Sequence, residues 1–316
     1  MLQKPNVVCF GEILWDILPT ATQPGGAPMN VAYHLNQLGI HTTLISRVGA
    51  DERGEKLTGL LRSWNLSADF CQTDTTYATS EVHAVVGEHH EVSYNILFPV
   101  AWDHIEYRPE FRPLLQQADA LVFGSLATRN APSRETLHSL LETASYKVFD
   151  INLRAPNYTP ENIERLLYRT DLLKLNVAEL EMVTHWFHDI CHTDSDRVKL
   201  LQDKFGITEV LVTRGSSGAS YYTQDLRLDI PAYKVPVADT VGSGDAFLAG
   251  FLAKRLQGAY TDTALCYAVA LGAYVTMHHG ACPAYSLDQL EAFKTRKEQE
   301  VAFQEQASAA RYGLAV

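Results

Sequence analysis

The sequence predicts an α/β protein with a doubly wound, mostly parallel sheet, helices on both faces and a small group of additional strands. Short apolar runs rich in β-formers alternate with segments that carry apolar residues at helical spacing. Those runs are almost wholly apolar, as in strands buried on both faces. The 316 residues are 46% hydrophobic, which suffices for a sizeable core. No low-complexity linker or repeat divides the chain, so a single domain over residues 1–316 is expected.

The buried strands are predicted from apolar runs bounded by Gly, Asp, Asn or Arg, and the helices from the periodic segments between them. The predicted strands are 7–10, 42–48, 120–124, 147–151, 172–175 and 209–213. The predicted helices are 30–38, 53–64, 133–143, 160–168, 177–187 and 195–205. From residue 262 onward the chain is predicted to be helical, with a polar, amphipathic tail over 291–310.

Two segments interrupt the alternation of strands and helices. Residues 12–18 extend the first apolar run too far for one strand, and 80–86 with 91–98 alternate as a hairpin with one wet face. We therefore expect residues of about 12–24 and 76–102 to form a small set of additional strands inserted in the main α/β body. An ordinary edge hairpin is the alternative.

Charge and composition exclude several classes of partner. The net charge of −11 and the pI near 5.5 argue against non-specific binding to nucleic acid or to anionic membranes. No apolar run approaches the roughly 20 residues of a membrane span, and the N-terminus lacks a signal-peptide core, so a cytoplasmic protein is expected. Five scattered cysteines without CxxC spacing indicate reduced thiols.

The strongest functional signal is the stretch Asp239-Thr-Val-Gly-Ser-Gly-Asp245, which opens into an apolar helical run. The amides of Gly242, Ser243 and Gly244 lack helical partners at such a start and, with the helix dipole, form an anion site. Asp245 at the mouth of that site indicates a general base beside a transferring phosphoryl group. The alternative is that Asp245 caps the helix and the glycines only form a turn, and this stretch alone favours neither.

A second stretch, Gly25-Gly-Ala-Pro-Met-Asn30 followed by Gly39 and Gly49, resembles the first signature of the PfkB (ribokinase-like) sugar kinases. Residues 239–252 resemble the second signature, in the expected order and with the expected gap, so the resemblance spans almost the whole chain. It implies a ribokinase-like fold whose β lid covers the sugar and often forms a dimer contact, hence a homodimer. It also implies phosphoryl transfer from ATP·Mg²⁺ to a primary sugar alcohol, with Asp245 as base and the 242–244 amides as anion hole.

The resemblance assigns a sugar-binding set: Asp16, Gly25, Gly26, Asn30 and Arg154. A carboxylate such as Asp16 accepts two hydroxyl bonds, the two glycines let the backbone approach the sugar, and the Asn30 amide offers a donor and an acceptor. A turn and a helix start are the alternative for Gly25, Gly26 and Asn30. A salt bridge to Asp150 is the alternative for Arg154.

The nucleotide-binding set lies at the ends of two later strands: Asn176, Thr213, Arg214, Gly215 and Gly218. In the family, a loop like Thr213–Gly218 meets the phosphates through amides and a Thr hydroxyl. An ordinary Gly/Ser turn is the alternative, and a solvated surface side chain is the alternative for Arg214.

Two acidic residues are candidate ion ligands. Asn176 and Glu179 resemble an Asn-x-x-Glu element that organises Mg²⁺ through water, although the same spacing is a capping box. Asp239 matches a position that holds a monovalent cation in many relatives, which makes K⁺ activation a hypothesis. Its alternative role is to cap the turn.

Other features carry less weight. His185, His188, His192 and Cys191 fall at helical spacing but are interpreted as solvated or capping side chains rather than a zinc site. Val269 stands where many relatives carry an Asn near the adenine, so nucleotide preference is left open.

The substrate is inferred from four short motifs together. Gly11-Glu-Ile-Leu-Trp-Asp16, the Gly25–Asn30 loop, Asp150-Ile-Asn-Leu-Arg154 and Asp171-Leu-Leu-Lys-Leu-Asn176 resemble fructokinases more than ribokinases or adenosine kinases. Conversion of D-fructose to fructose 6-phosphate is therefore the first expectation. Ribose, 2-keto-3-deoxygluconate or a nucleoside is the alternative acceptor, and a non-catalytic sugar-binding regulator is the alternative from another class.

Overall fold

The computed structural model describes residues 4–18, 21–86, 92–187 and 191–311. The strands in these ranges are β1 (Asn6–Phe10), β2 (Leu14–Ile17), β3 (Thr22–Gly25), β4 (His41–Gly49), β5 (Cys71–Asp74), β6 (Ser80–Val86), β7 (Val92–Ile96), β8 (Ala120–Gly124), β9 (Lys147–Asp150), β10 (Leu172–Asn176), β11 (Glu209–Thr213), β12 (Ala219–Tyr222) and β13 (Arg227–Ile230). The helices are α1 (Ala27–Gln37), α2 (Glu52–Ser63), α3 (Phe111–Gln116), α4 (Ala131–Leu141), α5 (Pro160–Leu167), α6 (Val177–His185), α7 (Asp194–Phe205), α8 (Ser243–Leu256), α9 (Thr261–Thr276) and α10 (Leu287–Arg311). Among them, none combines the length and apolar character needed to cross a membrane.

Nine of these strands form one large sheet in the order β13-β12-β11-β10-β9-β8-β1-β4-β5. From β11 to β5 all neighbours run parallel, while β12 and β13 join one edge antiparallel. The chain starts in an interior strand, β1, and adds strands on both sides of it, as in a doubly wound fold. The fold class predicted from the sequence is confirmed.

Strand β1 shows how the sheet divides the core. Val7 and Cys9 face one apolar cluster, which holds residues of α1, α8 and α9, whereas Val8 and Phe10 face a second cluster on the other side. The alternation follows from the two-residue period of a strand. Because both faces are covered, the six apolar runs seen in the sequence lie in buried strands.

A smaller sheet in the order β3-β2-β6-β7 contains the two segments that interrupt the alternation. Strand β2 pairs antiparallel with β3 and parallel with β6, and β6 pairs antiparallel with β7. The tip of the predicted hairpin, 87–91, lies outside the described residues. The first apolar run is broken at Gly11, whose φ of +143° turns the chain out of the large sheet. Residues 14–17 therefore form a new strand in the second sheet rather than a continuation of β1.

Candidate active site

Helix α8 begins at the small-residue turn predicted from the sequence. Gly242 is its N-cap in a left-handed conformation, with φ of +74°, and the first backbone bond of the helix runs from the Ala246 amide to the Gly242 carbonyl at 2.8 Å. A Cβ at Gly242 would also lie 2.6 Å from the Cα of Ala281, so only glycine fits there. The amide of Ser243 donates a long bond of 3.3 Å to the Thr240 carbonyl. One of the three predicted anion-hole amides thus has an internal partner in this state.

Asp245 lies in the first turn of α8 and is only 8% exposed. The amide Nδ2 of Asn30, from α1, donates a 2.8 Å hydrogen bond to its Oδ2. Burial raises the pKa of Asp245 to about 6 and the charge of Asp150 adds to the rise, whereas Lys174 and the Asn30 bond oppose it. The Asp245 carboxyl group is therefore mostly ionised at neutral pH and can accept a proton.

Behind this helix start lies a buried ion pair. The ammonium Nζ of Lys174 donates to both carboxylate oxygens of Asp150, at 2.9 and 2.8 Å. Burial lowers the pKa of Lys174, but the adjacent charges of Asp150 and Asp245 outweigh it, so the net shift is upward. A Cβ built on Gly244 would lie 3.0 Å from Nζ. The cation is thus held directly behind the α8 turn.

This ion pair was not predicted from the sequence. The alternative considered there was a salt bridge between Asp150 and Arg154. The structure corrects that alternative: Asp150 pairs with Lys174, and the Arg154 guanidinium donates to the Leu153 carbonyl at 3.1 Å. The sequence does contain a signal for this ion pair, because Lys174 is a charged residue inside the apolar run Leu-Leu-Lys-Leu. The strand register then makes Lys174 the neighbour of Asp150 across parallel strands β10 and β9.

A cavity of about 310 Å³ lies on one side of the α8 turn, where the large and small sheets meet. Its polar lining includes Glu12, Asp16 and Arg154, and Thr240 and Val241 close it toward α8. Burial raises the pKa of Asp16 to about 6, and Arg154 opposes the rise. Strands β6 and β7 of the small sheet contribute apolar side chains to the wall of this cavity. The predicted lid therefore lies against the residues predicted to bind the sugar.

Glycine is required at positions 25 and 26 for a different structural reason from the one expected from the sequence. A Cβ on Gly25 would meet the Asp16 carboxylate, and a Cβ on Gly26 would lie 2.4 Å from the Glu12 carbonyl oxygen. Gly26 also lines the cavity. Both glycines therefore make room for the carboxyl end of β1 and for strand β2, in addition to any approach of the backbone to a ligand.

A second cavity of about 490 Å³ lies on the other side of the α8 turn. Its lining includes Thr213, Gly215 and Gly218 after β11, together with Ser243 and Gly244. Thr240 lines this cavity as well as the first. The 240–244 turn therefore separates the two.

Apolar side chains form the far wall of the larger cavity. They are Val235, Val237, Phe247, Val269 and Ala273. The position flagged from the sequence, Val269, thus lies in this wall.

Arg214 is part of an internal network. Its guanidinium donates to Asp194 Oδ2 at 2.9 Å and to Tyr222 Oη at 3.2 Å, and it also contacts Ser220. The side chain lines an open third cavity with Asn176, Thr213 and Gly215. It is therefore neither a freely solvated side chain nor an uncompensated positive charge.

Asn176 and Glu179 form the capping box at the start of α6. Asn176 Oδ1 accepts from the Glu179 amide at 2.9 Å, and Glu179 Oε2 accepts from the Asn176 amide at 2.8 Å. The amide of Leu153 donates to the other oxygen, Oε1, at 2.9 Å. Burial raises the pKa of Glu179, and these backbone bonds oppose the rise. Each carboxylate oxygen keeps a second lone pair, which can accept a hydrogen bond from a water molecule of hydrated Mg²⁺.

Asp239 joins two loops behind the α8 turn. Its Oδ1 accepts from the Val241 amide at 3.0 Å, and its Oδ2 accepts from the Gly280 amide at 3.2 Å. The capping role considered for Asp239 is thus present. Each of its carboxylate oxygens keeps a second lone pair, which the K⁺ hypothesis requires.

Several residues of the site were missed by sequence reasoning. They are Glu12, Asp150, Lys174, Thr240 and Cys282, whose thiol donates to Asn30 Oδ1 at 3.4 Å. Among the described residues no group of three or more His, Cys, Asp or Glu side chains is arranged to hold a metal ion. His188 of the discounted zinc pattern lies outside them.

Solved structures with the same fold include a riboside kinase and a fructokinase. An aminoimidazole riboside kinase from Salmonella enterica, complexed with aminoimidazole riboside and an ATP analog, is 25% identical with a TM-score of 0.80, over 92% of this chain and 99% of that one. The fructokinase of Vibrio cholerae O395, bound to fructose, ADP and calcium ion, is also 25% identical with a TM-score of 0.80, over 92% and 98% of the two chains. The fold is ribokinase-like.

The chain belongs to the PfkB family: residues 6–287 match the description "pfkB family carbohydrate kinase". It is therefore a carbohydrate kinase, as the two sequence signatures implied. A fructokinase from Rhizobium leguminosarum bv. trifolii is 30% identical over 265 residues, covering 78% of each chain. The probable fructokinase-6, chloroplastic, of Arabidopsis thaliana is 29% identical, covering 89% of this chain and 80% of the relative.

Proposed function

We propose that this carbohydrate kinase transfers the γ-phosphate of ATP to a primary hydroxyl group, with D-fructose as acceptor and fructose 6-phosphate as product. The observation that carries the proposal is the position of Asp245. It lies at the start of α8, bonded to Asn30, where the 240–244 turn separates two cavities of about 310 and 490 Å³. Asp245 is not among the lining residues of either cavity, but it directly follows the turn that borders both, so its carboxylate is proposed to meet the acceptor hydroxyl at that turn.

In the proposed reaction, Asp245 accepts the proton of the sugar hydroxyl. The hydroxyl oxygen forms a bond to the γ-phosphorus while the bond from phosphorus to the bridging oxygen of ADP breaks, so the proton ends on Asp245 and ADP leaves. The amides of Gly242, Ser243 and Gly244 stabilise the charge on the phosphoryl oxygens. For Ser243 this requires exchange of its 3.3 Å bond to Thr240, which is weak because it is long.

Two groups prepare Asp245 for this role. The Asn30 amide fixes the orientation of the carboxylate with a 2.8 Å bond, and Lys174 supplies positive charge from behind Gly244. Both lower a pKa that burial raises, so the base is ionised at neutral pH and still basic enough to take a proton.

The acceptor is proposed to lie in the smaller cavity. Asp16 accepts hydrogen bonds from the hydroxyl groups of the acceptor and Arg154 donates to them. Gly26 brings backbone to the cavity wall, and Gly25 makes room for the Asp16 carboxylate. Asn30 has both a donor and an acceptor, but its Nδ2 and Oδ1 are engaged by Asp245 and Cys282. We therefore assign Asn30 to the Asp245 carboxylate first and to the sugar second.

The nucleotide is proposed to lie in the larger cavity. Thr213, Gly215 and Gly218 would face the phosphates, and Val269 with its apolar neighbours would face the base. Asn176 and Arg214 line the adjoining open cavity, where the Arg214–Asp194 pair reduces the charge that Arg214 offers to ATP.

Two ions complete the proposal. Mg²⁺, when bound, neutralises charge on the phosphates, and Glu179 would hold it through water. Asp239 would hold K⁺ behind the turn. If it does, replacing K⁺ by tetramethylammonium lowers kcat, and unchanged rates remove K⁺ from the scheme.

Sugar-dependent release of ADP from ATP, measured by a coupled assay, tests the function. The panel is fructose, ribose, mannose, 2-keto-3-deoxygluconate and adenosine, and fructose is expected to give the highest kcat/KM. A nucleoside acceptor is the second candidate, since the aminoimidazole riboside kinase is as similar in fold as the fructokinase. If sugar binds and no acceptor yields ADP, a non-catalytic regulator replaces the kinase.

A homodimer that pairs through the small sheet is part of the proposal. Strands β3 and β7 are the two edges of that sheet, and Phe98, just after β7, is 60% exposed. Light scattering should give twice the mass of one chain. A single-chain mass at micromolar concentration would contradict it.

A further inference from the structure

Glu12 has a position that neither the sequence motifs nor the proposed reaction explains. It follows β1, at the carboxyl end of a central strand, where ligands bind in open α/β sheets. It is 3% exposed and lines the same cavity as Asp16 and Arg154. Its Oε1 accepts from the Ala27 amide at 3.3 Å, and its Oε2 has no hydrogen-bond partner among the described residues.

Helix capping explains the position of only one of the two carboxyl oxygens of Glu12. One oxygen is enough to accept from Ala27, the first residue of α1, and that 3.3 Å bond is long. An unpaired, buried carboxyl oxygen costs free energy, and native structures pair such atoms unless a ligand does so. Oε2 is therefore the part of Glu12 that needs an explanation.

We propose that Glu12 is a specificity-determining residue of the acceptor site and that its Oε2 forms a hydrogen bond with one hydroxyl group of the sugar. This inference rests on the proposed function, because it assigns the acceptor to the smaller cavity. It makes Glu12 a second carboxyl group, besides Asp16, that recognises the polyol.

The charges around Glu12 indicate how it bonds. Asp245 on α8 disfavours its ionised form, Arg154 after β9 favours it, and Asp16 on β2 lines the same cavity. Burial is the largest effect and raises the pKa of Glu12 to about 7. Near and below neutrality the carboxylic acid is present, and its O–H donates to a sugar oxygen.

The same charges select the class of acceptor. Two carboxyl groups and one arginine form the charged lining of the cavity among the described residues. A neutral sugar offers hydroxyl partners to all three. A sugar acid would bring a third carboxylate against a single cation, so we expect ketose sugars to be preferred to sugar acids.

The test is a thermodynamic cycle that compares the native chain and Glu12→Ala on fructose and on deoxyfructoses. Each deoxyfructose lacks one hydroxyl group other than the one that accepts the phosphate. With the native chain, loss of the hydroxyl that Glu12 contacts should lower kcat/KM about 10- to 100-fold. With Glu12→Ala, that analogue and fructose should differ by less than about 3-fold, because the bond is already lost. Equal losses for every analogue in the two proteins would overturn the proposal.

Two further variants separate sugar contact from helix capping. Thr159→Ala removes a cap bond of the same 3.3 Å length, from the Asn162 amide at the start of α5, and should leave the fructose KM unchanged. Glu12→Gln keeps one donor and one acceptor and should keep the fructose KM within about 3-fold at pH 6. If Glu12→Ala only lowers Tm, as Thr159→Ala does, Glu12 is a cap and the inference is wrong. Absence of turnover by the native chain with every acceptor would instead refute the proposed function.

Discussion

The Lys174 ammonium group bonds both carboxylate oxygens of Asp150, and the same nitrogen lies against Gly244 at the start of α8. This pair sets the electrostatic surroundings of Asp245, since Asp150 raises its pKa and Lys174 lowers it. The two members of the pair thus act on the proposed base in opposite directions.

Replacement of either member should move the acidic limb of the pH–rate profile. Lys174→Met removes a positive charge, so the pKa of Asp245 rises and the limb shifts to higher pH than the wild-type value near 6. Asp150→Asn removes a negative charge, and the limb shifts to lower pH. The measurement is kcat against pH from 5 to 9.

The same variants should differ in stability from the double variant. Lys174→Met leaves Asp150 buried without its partner, which typically costs about 3–5 kcal/mol in the free energy of unfolding. Lys174→Met with Asp150→Leu should recover most of that loss in urea unfolding. A limb that shifts in the same direction for both single variants would contradict the electrostatic role.

Asp245→Asn should remove turnover and leave sugar binding intact. Loss of a general base typically costs about 10²- to 10⁴-fold in kcat, whereas the amide keeps the size of the carboxylate. A coupled assay of ADP release gives kcat, and calorimetry with fructose gives the Kd for the sugar. Asp203→Asn, on the exposed surface of α7, is the control. Near-native turnover of the position-245 variant would overthrow the assignment.

Stability of the ligand-free protein should fall as the pH rises from about 4 to 7. The pKa values of Asp16 and Asp245 are raised to about 6, and that of Glu12 to about 7, chiefly by burial. The folded state then binds protons more tightly than the unfolded state, so this stability is present below the ordinary carboxyl pKa and is lost through the raised one. Asp245→Asn should therefore have a higher Tm than wild type at pH 8 and nearly the same Tm at pH 4.

Gly244→Ala should impair the enzyme, whereas Gly59→Ala should not. An alanine Cβ at position 244 would lie 3.0 Å from Lys174 Nζ, so the ammonium group must give way by a few tenths of an ångström and the ion pair that acts on Asp245 is disturbed. Gly59 lies in α2 with open space around it, and alanine there should add about 0.5–1 kcal/mol of stability. Unchanged kcat in Gly244→Ala, with the same acidic limb, would show that the exact position of Lys174 is unimportant.

The central part of the fold was predictable because it follows from local pattern. The predicted strands 120–124 and 209–213 agree with the observed bounds of β8 and β11. The edge strands β5 and β13 were not predicted. Their sequences, Cys-Gln-Thr-Asp and Arg-Leu-Asp-Ile, are four residues long and mix polar with apolar residues, so neither forms an apolar run. In β13 this follows from exposure, whereas in β5 the polar Gln72 and Asp74 are buried.

The site was predictable where a motif is continuous in sequence and not where it depends on pairing between strands. The 239–245 turn and the Gly25–Asn30 loop are read from adjacent residues, whereas Lys174 meets Asp150 only through the register of β10 with β9. Glu12 was visible in the motif around Asp16, but its unpaired oxygen depends on a cavity that no local pattern reveals.

The bond between Asn30 and Asp245 joins residues 215 positions apart, through the packing of α1 on α8. A growing polypeptide therefore cannot form this contact until α8 has left the ribosome and packed on α1. If Asp245 is the base, as proposed, chains that end before α8 should show no sugar-dependent phosphoryl transfer.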